Sequence, residues 1–416
     1  MERIGVGFSG GMSPQDIVEC VKVAEELGYE SAWVAEGHGG DQFSVLTACA
    51  MVTERIKLGT SITSVFVRTP PTIAMAAASV DYFSNGRFIL GVGSSHKVQV
   101  EPEHGLEFTR PVQRLRECVD IIRAILKDSD VNYHGEIYDI ERFDLWFQPL
   151  RKEIPIYVAA VFPKMLEICG EISEGAILTW CTLAHAEEAA QAVGLGARNA
   201  GRNPDDVEVA SLLPCAVSDD RETARDLMRM PIASYAGRFP RYRKLMIDAG
   251  FPEEIEDVRV AWQAGRTEEA LDLVPSGLID QIGLVGTVDE IRGKLADYRN
   301  AGITLPIVSP RFMGDGAKDQ ALEIIRACAP ACYTRLNKNG LQFYPQTEPV
   351  QKRTPRVSQG RSTRGKAGGL RPFDRGAIPV RSGDQPETGG TELADHRLAR
   401  RTRRRRERAH RTRHPS

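Results

Sequence analysis

Short apolar runs rich in Val, Ile and Leu alternate with amphipathic stretches along most of the chain, and Gly, Pro, Asn or Ser marks each change of period. From Lys57 to Gly93 the order is strand, polar loop, apolar helix, turn and strand without a break. Ile56, Leu58, Ile62 and Val65 form a β-branched run that stops at Arg68-Thr69-Pro70-Pro71, where the prolines can open a helix. Ile73, Ala74, Ala77, Ala78 and Val80 then make a narrow small-residue stripe, and Ser84-Asn85-Gly86 supplies a turn before Phe88, Ile89, Leu90 and Val92. This is a complete β-α-β crossover, the repeat unit of parallel sheets.

The same unit recurs. Strands are predicted at Ile4 to Phe8, Ser31 to Ala35, Ile56 to Ser64, Arg87 to Val92, Ile154 to Ala160, Ala176 to Trp180, Val207 to Val217 and Ile303 to Val308. Helices are predicted after them at Ser13 to Gly28, Ser44 to Thr53, Pro71 to Phe83, Pro111 to Lys127, Pro163 to Ser173, Ala184 to Ala200 and Thr287 to Ala301. Val131 to Phe147 reads as an inserted hairpin, and Asp219 to Gly277 as helical but irregular, interrupted by Pro231, Pro240 and Pro252. Eight strands in strict alternation with helices predict an α/β fold, a (β/α)8 TIM barrel with insertions.

Composition changes this picture in one place. The chain has 416 residues with a net charge of -2, but Leu341 to Ser416 carries 19 Lys+Arg against 7 Asp+Glu. That stretch lacks apolar periodicity and contains the run Arg400-Arg401-Thr402-Arg403-Arg404-Arg405-Arg406. The expected organisation is a barrel over 1–333 and a disordered basic tail over 334–416. The tail reads as a non-catalytic extension; its contact with nucleic acid would be non-specific, through phosphate neutralisation. A binding protein that acts through this tail and has lost catalysis is the reading from a different class.

Candidate chemistry is mostly excluded by spacing. The eight cysteines form no CxxC and lie in apolar segments, as reduced core thiols do, and no His/Cys pattern supports a metal. No signal segment or apolar run of membrane length is present, so the expected location is the cytoplasm. Gly5-x-Gly7-x-x-Gly10 with Glu30 imitates a dinucleotide fingerprint, but too few residues precede Gly5 for the glycines to follow a strand; they should lie inside it.

The segment LGTSITSVFVRTPPTIAMAAASVDYFSNGRFILGVGSS, with Ala32-Trp33-Val34-Ala35-Glu36, Pro155 to Ala160 running into Pro163-Lys164-Met165, and Ile282 to Thr287, resembles the bacterial-luciferase-like flavin superfamily. The branch most similar is that of oxidoreductases using the deazaflavin coenzyme F420, such as methylenetetrahydromethanopterin reductase. The resemblance implies coenzyme F420 as cofactor, with FMN the alternative if the chain is a luciferase-like monooxygenase using reduced flavin and oxygen. It implies hydride transfer between the deazaflavin C5 and a small-molecule substrate, and a homodimer.

It also implies a site at the carboxyl ends of the strands. A non-prolyl cis peptide is expected at Ser61-Ile62, against the ring. Ser94, Ser95 and Gln99 match ring or side-chain contacts, and Ala160, Val161 and Phe162 match the loop near the phosphate, although Val161-Phe162 replaces a common glycine pair. Glu36 matches an acid near the cofactor. Gly37 stands where sugar-phosphate dehydrogenases carry a catalytic histidine, and His96 where they carry a glutamate, so sugar-phosphate oxidation is not expected. His38 and His96 are the candidate proton-transfer groups, because an ordinary imidazole titrates near neutrality. Arg68 suits a structural role in the strand-three loop. The hairpin at 131–147 and the segment at 219–277 are expected to complete the pocket, with Trp146, Phe239, Tyr242 and Trp262 suggesting an apolar or ring-bearing substrate.

Overall fold

Residues 2–330 are described by the computed structural model; the expected tail at 334–416 lies outside them. Eight strands, Gly5–Phe8, Ser31–Val34, Lys57–Thr60, Phe88–Gly93, Ile156–Ala159, Gly175–Thr179, Glu208–Val217 and Leu305–Pro310, pair in parallel with their sequence neighbours. The first also pairs with the last, Gly5 opposite Ile307, so the sheet closes into the expected barrel. No described helix is long and apolar enough to cross a membrane.

Alternation along the strands divides the barrel into two cores. Trp33, Ile89, Tyr157, Ile177, Ala210, Leu305 and Ile307 fill the lumen. The side chains between them face the helices, as the buried Ile73, Ala74, Ala77 and Ala78 of helix Pro70–Phe83 do from the other side. Gly5 and Gly7 are lumen positions within the first strand, where a Cβ on Gly7 would stand 2.6 Å from Leu212 Cδ2. They make room for packing, and the dinucleotide reading falls away. Gly59 does the same for Trp33, whose ring carbons would lie 2.4 Å from an added Cβ. Trp33 Nε1 donates to Ser31 Oγ at 2.9 Å, which satisfies its only polar atom inside the lumen.

The predicted third strand is divided. Pairing with the second strand ends at Thr60, the Ser61-Ile62 peptide is cis, and Thr63–Ser64 pairs again with Val92 and Gly93 of the fourth strand. Thr60 Oγ1 donates to the Gly91 carbonyl and accepts from the Gly91 amide, each at 2.8 Å, locking strands three and four where the break begins.

The irregular segment resolves into helices Arg221–Arg238, Pro240–Asp248, Pro252–Gln263, Thr267–Asp272 and Ser276–Ile282, with their own core around Met228, Ile232, Ile255, Val258 and Ile279. Pro240 and Pro252 start helices rather than interrupt them, because the first helical position needs no amide hydrogen. Two further helices escaped the periodicity: Lys97–His104, short and polar with Pro102 inside it, and Ala317–Ala327.

The hairpin pairs Asp130–His134 with Asp139–Asp144. It is pinned by Glu117, only 3% exposed, which accepts from the amides of Glu136 at 2.9 Å, Ile137 at 3.0 Å and Tyr138 at 3.0 Å. Burial raises the Glu117 pKa, but Gln113 and these amides outweigh it and hold the carboxyl below its ordinary value.

Candidate active site

Two adjoining cavities open at the carboxyl ends of strands two to six. One, of about 450 Å³, is lined by Glu36, Gly37, His38, Asp41, Ile62, Ser64, Arg68, Ser95, Gln99, Glu103 and His104. The other, of about 100 Å³, is lined by Ile62, Gly93, Ser94, Ser95, His96, Ala160, Val161, Phe162, Met165, Arg241 and Tyr242. Ile62 and Ser95 belong to both walls, so the break in strand three and the turn after strand four stand at the centre.

Of the residues expected to contact the cofactor or move protons, only Ser61 lines neither cavity. It is 8% exposed, and its buried Oγ has no hydrogen-bond partner among the described residues. Ile62 points across to strand four, where a Cβ on Gly93 would come within 2.8 Å of Ile62 Cδ1. The small residue at 93 is therefore what admits Ile62. Ser95 adopts φ 55°, an uncommon conformation for a side-chain-bearing residue, and delivers the chain into helix Lys97–His104.

Glu36 is fully engaged. Its Oε2 accepts from the Ser64 amide at 2.7 Å and its Oε1 from Arg68 Nε at 2.7 Å. Arg68 also pairs with Asp41, which caps helix Gln42–Val52 by accepting from the Ser44 amide at 2.8 Å. For Arg68, burial lowers the pKa, and the two carboxylates more than compensate and raise it. Glu36, Arg68 and Asp41 thus tie the second-strand loop to the piece of strand three beyond the cis peptide.

The two histidines differ. His38 is largely exposed and lies 3.3 Å from Glu103. His96 packs against Phe239 and Tyr242, with ring centroids 5.2 and 5.0 Å away. Burial, with the nearby Arg241 charge, lowers its pKa to about 4. The expectation of an imidazole titrating near neutrality is corrected for His96: it is a neutral donor-acceptor at pH 7.

The loop Ala160 to Phe162 precedes helix Pro163–Ile172, whose amino end favours negative charge. The loop is held from outside, with His185 Nε2 2.8 Å from the Val161 carbonyl. Neither this histidine nor Arg241 carried a sequence signal, because each comes from a distant element.

The hairpin lines neither cavity, contrary to expectation. Trp146 within it is 94% exposed, and Trp262 packs inside the helical insert, where a Cβ on Gly237 would meet it at 2.2 Å. Phe239 and Tyr242 do reach the site. No cluster of three or more His, Cys, Asp or Glu able to hold a metal occurs among the described residues. The seven described cysteines are buried thiols, and burial pushes Cys20 and Cys49 up to about 12.

A break in strand three facing the turn after strand four, an anion-favouring helix end on strand five, and a mixed polar and apolar cleft between them suit a flat heteroaromatic cofactor with a phosphate-bearing tail. Known proteins share this fold. The chain is 28% identical over 329 residues to the 5,10-methylenetetrahydromethanopterin reductase of Archaeoglobus fulgidus, covering 78% of this chain and 97% of the relative. The coenzyme F420-dependent tetrahydromethanopterin reductase of Methanopyrus kandleri superposes with a TM-score of 0.71 at 25% identity, over 79% of this chain and 98% of that one. The fold is also that of the oxygenating constituent of 3,6-diketocamphane monooxygenase of Pseudomonas putida, solved in complex with FMN, with a TM-score of 0.59 at 19% identity over 79% and 97% of the two chains. The luciferase-like monooxygenase family model matches residues 3–305, and the chain belongs to that family of oxidoreductases.

Proposed function

We propose that the chain is an F420-dependent oxidoreductase that moves a hydride between the coenzyme and a small organic substrate held beside it. The observation that carries this reading is the cleft centred on Ile62 and Ser95, with the Ala160 to Phe162 loop at one end. The solved reductase of Methanopyrus kandleri, named as coenzyme F420 dependent, supports it over FMN. When bound, the deazaflavin supplies the carbon that donates or accepts hydride.

The chain's own residues bind, orient and manage protons. Ile62 and Gly93 set the depth of the cleft, and Ser94, Ser95 and Gln99 offer polar contacts along it. Ala160, Val161 and Phe162 hold the anionic end of the cofactor. Glu36 acts as a positioning residue, because both its oxygens are occupied by Arg68 and the Ser64 amide. His96, neutral and facing the smaller cavity, accepts or shares a proton at the substrate, and His38 takes the outer rim. Two copies of the chain associate, as the family resemblance implies.

The deciding experiment is a binding titration of the purified protein with coenzyme F420 and, separately, FMN. Tighter binding of F420, with no oxygen consumption when reduced FMN is supplied, is expected. Preferential FMN binding with oxygen consumption would replace this reading by a monooxygenase, and binding of neither would remove catalysis altogether.

A further inference from the structure

We infer that Arg311 is the anion-recognition residue of the substrate pocket, and that the substrate carries a carboxylate at the end of a flat apolar body. This rests on the proposed placement of the cofactor against strands three to five, which leaves strands six to eight as the opposite wall. Leu305 and Ile307 of the last strand face the lumen, so Ser309 and Arg311 share their side at the open end. The Arg311 amide continues the ladder by donating to the Cys215 carbonyl at 2.8 Å.

Among the described residues no carboxylate acts on the guanidinium, and its Nε is buried without an acceptor. Burial lowers its pKa, and Tyr235 and Cys215 offset this only in part. It lies over the Trp180 indole, whose ring centroid is 5.5 Å from the guanidinium carbon, with Tyr235 and Cys215 also nearby. Trp180 itself follows strand six at φ 56°, a left-handed conformation that a bulky residue rarely adopts. Such a departure is most common where function requires a side chain to point a particular way.

From Trp180 a continuous line of rings leads back to the cofactor wall. Trp180 lies 5.0 Å from Tyr235, Tyr235 lies 4.9 Å from Tyr242, and Tyr242 lies 5.0 Å from His96. One end of this line offers a fork of N–H donors matched to a carboxylate, Trp180 is packed into the core of the helical insert, and Tyr242 at the far end lines the smaller cavity beside His96. A molecule anchored at Arg311 directs its apolar body toward Tyr242 and His96.

The test uses the full chain without substrate turnover. Benzoate, as a flat carboxylate, is titrated by calorimetry and by quenching of tryptophan fluorescence, with benzamide as the uncharged control. Benzoate is expected to bind the wild type, benzamide at least about tenfold more weakly, and Arg311→Met is expected to lose the benzoate preference by a similar factor. Arg311→Lys should retain part of it. Arg311→Met should melt no lower than the wild type, since it removes a half-buried guanidinium whose Nε lacks an acceptor. Equal binding of benzoate and benzamide, benzoate binding unchanged in Arg311→Met, or a lower melting temperature for that variant would overturn the assignment. Parallel F420 titrations separate the two readings: loss of F420 affinity in Arg311→Met would give the residue to the cofactor and overturn the proposal. Benzoate binding through Arg311 in a chain that binds no F420 would leave the anion site standing without its proposed cofactor.

Discussion

Replacing His96 with Gln, which matches its reach but does not titrate, isolates the effect of its surroundings on stability. In the folded chain burial among Phe239 and Tyr242, with Arg241 nearby, lowers the imidazole pKa to about 4, while the unfolded chain keeps the ordinary value of 6.5. Below 6.5 the unfolded state therefore binds a proton that the folded state refuses, and stability falls as pH drops from 6.5 towards 4. Linkage between those two values gives about 2 kcal/mol of lost stability from pH 7 to pH 5. The ring is only partly enclosed, and solvent screening reduces this to about 1 kcal/mol. Urea unfolding of wild type and His96→Gln at the two pH values measures it, because contributions from other groups cancel in the difference. The wild type should lose about 1 kcal/mol more than the variant on acidification. Parallel losses, or a smaller loss in the wild type, would refute the burial argument and with it the neutral state assigned to His96.

Other consequences concern the scaffold around the site. Glu117→Ala leaves the amides of Glu136, Ile137 and Tyr138 without their shared acceptor, at a cost of about 3 kcal/mol; hydrogen exchange at these three amides should accelerate, and unchanged protection would show that the carboxylate does not hold the hairpin. Gly91→Ala puts a Cβ 1.9 Å from the Thr60 carbonyl oxygen, so strands three and four must separate beside Ser61, costing about 3 kcal/mol or more. That variant should yield little soluble protein or lose cofactor affinity; a normal melting temperature with normal affinity would contradict the close approach. In an active preparation, His96→Gln should lower turnover sharply and leave the dissociation constant of F420 unchanged, and an unaltered rate would end its proposed role.

Much of this molecule was determined by the sequence through short-range chemistry. Alternation within strands, the small-residue face of Pro70–Phe83, and caps such as Ser13 and Thr287 are set by neighbours a few positions apart, and these identify eight strands in order. The family resemblance implies a cofactor wall at Ser61-Ile62 and at Ser94 to Gln99, and the cis peptide stands where it was expected. Periodicity failed where tertiary partners override it. The third strand divides because Thr63 and Ser64 change partner to the fourth, and prolines at 240 and 252 start helices whose apolar faces meet only one another. Lys97–His104 is too short and polar to announce itself.

The chemical character of the site was decided only by the fold. Histidines 38 and 96 look alike in sequence; one stands in water beside Glu103 and the other is kept neutral by rings contributed more than a hundred residues later. Glu36 reads as a free acid until Arg68 and the Ser64 amide occupy it. Arg311 carries no signal in the sequence, and only closure of the barrel sets it beside Trp180 with no carboxylate acting on it among the described residues. Local sequence sets which element forms, because helix and strand geometry are short-ranged. Charge, burial and reach depend on what is packed alongside, and that is known only once the ends of eight strands are brought together.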